Sequence, residues 1–152
     1  KYRPSQIVEK FSTYVIPPLD NRTFLAHMLY EGKKLFLQDL LLPQDEDAIK
    51  IAYSKNELDW VIKNEVNIWK FFIEKQLLYS TDIELVERFI EPAPFSKFYL
   101  QLDNESPGKI GRWIGWQIIR NFHEQNPDFP LQKLLDMSFQ KIFNQSRYKP
   151  KK

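Results

Sequence analysis

Cysteine is absent from this 152-residue chain. That one fact excludes disulfides, a thiol nucleophile and a cysteine-type zinc site. Histidine is almost absent too. His27 and His123 are the only two, which leaves a histidine-rich metal centre or a Ser-His-Asp triad little to draw on. Glycine is scarce, at 4 residues, and neither a P-loop nor a G-x-G-x-x-G fingerprint occurs. No apolar run reaches the ~20 residues that a membrane-spanning helix needs, and no signal peptide is visible. The chain begins at Lys1 rather than Met, so the true N-terminus, with any targeting signal, is expected upstream. Excess charge is also missing. A formal net charge of +2 falls short of the concentrated basic face by which nucleic acid is recognised, and no nucleic-acid partner is expected.

What remains is globular in character. The 43% hydrophobic and 28% charged content supports one domain, residues 1–152, with its own core. Aromatic residues are abundant, with 12 Phe, 7 Tyr and 4 Trp. Most should fill the space between helices, and a minority is available to line a groove. Basic residues cluster locally only in Arg147-Tyr148-Lys149-Pro150-Lys151-Lys152. The plain reading is a solvated tail; the sharper one is contact with anionic lipid headgroups.

Apolar residues recur at helical period between prolines, and the expected fold is all-α, a compact multi-helix domain. A first helix starts near Pro4 and stops at Pro17-Pro18. Asp20 to Thr23 supply N-caps for a long helix running to Leu42, with Phe24, Met28, Leu35 and Leu42 on one face, Gly32 inside it and Pro43 beyond it. Asp45 to Ala52 reads as a short helix. Ser54 and Glu57 form a capping box for a helix reaching about Leu78. Ser80-Thr81-Asp82 caps a shorter one that Pro92-Ala93-Pro94 ends. The stretch from Phe95 to Pro107 is the least regular, with a brief extended segment over Phe98–Leu102. Ser106-Pro107 opens the next helix with proline in its first turn, and Asn126-Pro127 closes it. One last helix spans Pro130 to Phe143.

The search for chemistry finds fragments. His27 and Glu31 are four apart on one helix, a spacing that suits two metal ligands. Two ligands do not make a zinc site, and a polar pair at a helix seam is the preferred reading. His123-Glu124 begins like a zincin motif, but the position of the second histidine holds Pro127. The most unusual stretch runs from Gly108 to Trp116 and holds Gly108, Gly111 and Gly115. The last two make a smooth strip flanked by Trp113 and Trp116. Such a strip admits a close helix, which is the favoured explanation, or floors an interaction cleft. Arg112 beside it needs a carboxylate if buried. Glu31 and Glu65 are the leading candidates, with Asp103 and Glu105 also in reach.

Several blocks together suggest a family. They are Glu31-Gly32-Lys33-Lys34-Leu35, Asn64 to Trp69, Leu78 to Asp82, Pro92 to Phe98, Glu105 to Ile118, and Ser146 to Pro150. From about Thr23 onward the chain resembles the C-terminal half of the gliding-motility lipoprotein GldB family. The resemblance implies a non-catalytic component of the cell envelope that binds other proteins of a gliding or secretion machinery. It also implies an upstream half whose lipidated cysteine anchors it to the membrane. The family is in turn distantly similar to predicted zinc peptidases, in which a second helix carries Glu-Gly and its Glu is the third metal ligand. Glu31-Gly32 matches that element. The resemblance implies that Glu31 is a relic, now a structural carboxylate, and that no cofactor is bound. A zincin-like peptidase fragment, with zinc and an upstream His-Glu-x-x-His, is the alternative.

Overall fold

The computed structural model describes residues 4–92 and 106–150. These residues form eight helices and no strand: α1 Pro4–Val15, α2 Phe24–Leu41, α3 Asp47–Ile51, α4 Lys55–Glu74, α5 Ile83–Phe89, α6 Ile110–Gln125, α7 Leu131–Asp136 and α8 Phe139–Ser146. The all-α expectation is met. The extended segment expected over Phe98–Leu102, and the acidic residues Asp103 and Glu105, lie outside the described residues.

Local capping starts several helices as their sequences imply. Thr23 Oγ1 accepts from the Ala26 N–H and is itself held by Asn21. Ser54 and Glu57 exchange both bonds of the capping box, and Asp82 caps α5 by accepting from Glu84 N–H. The boundaries that differ have identifiable causes. α4 stops at Glu74, short of Leu78, because Gln76 turns left-handed at φ 54°. Leu77 N–H then closes onto Phe72 O, and Gln76 N–H onto Ile73 O, the two bonds of a Schellman motif. α6 starts at Ile110 rather than at Pro107, because Lys109 adopts φ 61°, ψ 20° and breaks the helical path in front of it. The expected last helix is two. Met137 is extended, and Ser138 caps a new start by accepting from Lys141 N–H.

α2 and α6 form the centre. Gly111 sits over Met28, Gly115 over Gly32, and Arg120 reaches Asp39 further along, so the two helices run in the same direction. At the crossing their backbones touch. A Cβ built on Gly32 would lie 2.5 Å from the carbonyl group of Gly115, and one on Gly115 would strike the Met28 carbonyl. Around this pair α1 packs on α2, α8 on α6, and α4 on α6. Phe24, Phe72 and Phe89 join α2, α4 and α5 in one aromatic cluster, with Phe24 and Phe72 edge-to-face at 5.1 Å.

Lysine enters this core. Lys33 of α2 is 2% exposed. Its ammonium donates to the carbonyls of Leu135 and Met137 at 2.7 and 3.0 Å and lies over the Phe139 ring. It therefore ties the break between α7 and α8 to the central helix. Burial lowers its pKa to about 8, against weaker opposing pulls from Asp20 and Asp136.

Two predictions follow from this packing. Gly115→Ala should destabilise by ~3 kcal/mol, the upper end for overpacking, because the clash is with backbone and not with a movable side chain; a denaturation curve within ~1 kcal/mol of the parent would refute the close approach. The second concerns Lys33. The unfolded chain holds its proton up to about pH 10.5 and the folded one only to about 8, so the unfolded state binds more protons in between and stability rises through that window. Relative to Lys33→Met, the parent should gain ~1–3 kcal/mol between those pH values; parallel pH profiles of the two proteins would show that Lys33 does not titrate this way.

Candidate functional site

The strip expected either to pack or to floor a cleft is core. Gly111, Trp113, Gly115 and Trp116 are all buried, as is Gly108, and Trp116 is completely covered. α2 occupies the strip, and Gly32 is the matching gap on that side. The indoles stack edge-to-face at 5.6 Å, and each N–H finds a carboxylate inside the protein. Trp113 Nε1 donates to Glu65 and Trp116 Nε1 to Asp39, both at 2.9 Å. Neither indole edge is left for a partner.

Glu65 is therefore not the partner of Arg112. It lies on α4 and also accepts from the Tyr148 hydroxyl at 2.7 Å. Burial, then the charge of Glu65 and this hydrogen bond, raise the Tyr148 pKa. Tyr148 in turn meets the Trp69 ring edge-on at 4.9 Å. Part of the basic tail is thus buried: Tyr148 is inside, while Arg147 and Lys149 remain exposed. The partner of Arg112 is Glu31, the other candidate, through a loose ion pair at 3.8 Å. Its stronger contact is Nε donating to the Ile90 carbonyl at 2.7 Å.

The candidate metal pair of α2 is divided between two surfaces. His27 lines a broad groove of about 680 Å³ between the 17–22 loop and the start of α5, floored by Phe24 and rimmed by Ile83. Burial lowers the His27 pKa, Glu31 raises it and Arg22 lowers it. Glu31 faces a separate small cavity and is flanked by Lys34 at 3.3 Å as well as by Arg112. Among the described residues no three His, Cys, Asp or Glu side chains converge as metal ligands. The Glu31 carboxylate is thus held between two cations.

Sequence reasoning missed the strongest polar constellation. Asp39 of α2 accepts from Arg120 Nε and Nη2 at 2.8 Å each, from Trp116 Nε1, and from Lys50 Nζ at 3.1 Å. Arg120 also forks onto Asp47 at 2.9 and 3.1 Å, and its guanidinium lies 3.8 Å from the Trp116 ring centre. Burial opposes the Arg120 charge, but bonds and attraction from Asp39 and Asp47 outweigh it and raise its pKa. The cluster is satisfied within the protein and holds α3 against α2 and α6. Its signal, a carboxylate and an arginine 81 positions apart, is invisible to local pattern.

The family model described as "Gliding motility protein GldB", labelled as a lipoprotein family, matches residues 1–150. No curated protein and no solved structure matches. No helix among the described residues is long and apolar enough to cross a membrane.

Asp39→Ala should cost ~3 kcal/mol, the lower end for breaking a buried pair, because it strands Arg120, Lys50 and an indole N–H together. Asp47→Ala, at a more exposed carboxylate, should cost ~1 kcal/mol or less. Equal losses in thermal or urea unfolding would overturn this ranking.

Proposed function

The chain belongs to the gliding motility protein GldB family, and from that membership we propose that it serves the envelope gliding machinery as a non-catalytic lipoprotein component that works by binding other proteins. Attachment to the membrane is through a lipid anchor outside this chain, and the partners are envelope proteins of the gliding machinery or of its linked secretion machinery.

The observation that carries protein binding is the orientation of α1. This helix turns small side chains inward: Ser5, Val8 and Ser12 are buried against the body. Its large apolar side chains point out, with Ile7 56%, Phe11 51% and Tyr14 87% exposed. Their spacing is i, i+4, i+7, which is how an amphipathic helix presents anchors to an apolar groove on a partner. An isolated exposed leucine needs no explanation, but an aligned stripe of this kind marks an interaction face. Trp113 and Trp116, named from sequence for that role, are replaced in it by α1.

The two readings of Glu31 also separate here. Metal-dependent peptide hydrolysis needs the Glu31 carboxylate free for a cation, and Lys34 and Arg112 flank it instead. This favours the non-catalytic reading.

The test is complementation. Phe11→Ser with Tyr14→Ser, introduced in the full protein in cells lacking it, should abolish spreading while the protein accumulates normally. Unfolding free energy should move by only ~0.5 kcal/mol, as for surface substitutions. Full spreading by the double variant would refute α1 as the binding face, and loss of spreading on Glu31→Gln with bound zinc lost from the purified protein would restore the peptidase reading.

A further inference from the structure

We draw no further inference here: the strongest candidate, the groove of about 680 Å³ between the 17–22 loop and the start of α5, sets Arg22 and His27 among the carboxylates of Asp20 and Asp82, and nothing in the structure shows what covers it.

Discussion

Two helices come to backbone contact only where side chains are missing, and α2 and α6 meet that way at Gly32 and Gly115. A helix-interior glycine is unfavourable by ~1 kcal/mol against alanine, so three of them in this pair need an offsetting gain. The gain is proximity. With the axes this close, Met28, Ile114 and Trp116 are sealed from water, and the polar ends of both helices come within reach of each other. Arg120 can fork onto Asp39 from across the seam, and Arg112 can approach Glu31, only because no side chain separates the backbones between them. The peripheral helices then need only cover the flanks.

The indoles show the same logic at the level of hydrogen bonds. Two tryptophans in a core of this size bring two N–H groups that cannot be left unpaired. Asp39 and Glu65 accept one each. Both carboxylates then have spare oxygens, which gather Arg120, Lys50 and Tyr148. A requirement set by aromatic packing thus organises the charged groups around it, and these links tie α3, α4 and the tail to α6.

Legibility in the sequence followed the range of the interaction. Caps were readable at Thr23, Ser54 and Asp82 because each acts within three residues of itself. The left-handed turns at Gln76 and Lys109 were not, because neither is glycine, the residue that usually marks such a turn. The split at Ser138 was hidden by apolar residues that keep helical spacing through it, and by a distant lysine that makes the break stable. Gly32, Gly111 and Gly115 announced a close contact, but their own sequence could not say whether a helix or a cleft would receive it. Glu31 stood among the candidate partners of Arg112 beside Glu65, whereas Asp39 and Arg120 gave no local sign.

The attachment of Tyr148 to Glu65 spans 83 positions, and this bears on when the chain can close. During synthesis α4 is complete long before the residue that satisfies its carboxylate leaves the ribosome. Until then Glu65 lacks one of its donors and the edge of Trp69 lacks its cover. α2 likewise waits for α6, whose glycines emerge roughly eighty residues later, and such non-local contacts form slowly. Early folding is therefore restricted to local helices, and the core assembles as a late, nearly single event once the C-terminal helices arrive. A chain of this design stays loose while it is being made or moved, and becomes rigid at the end of that passage.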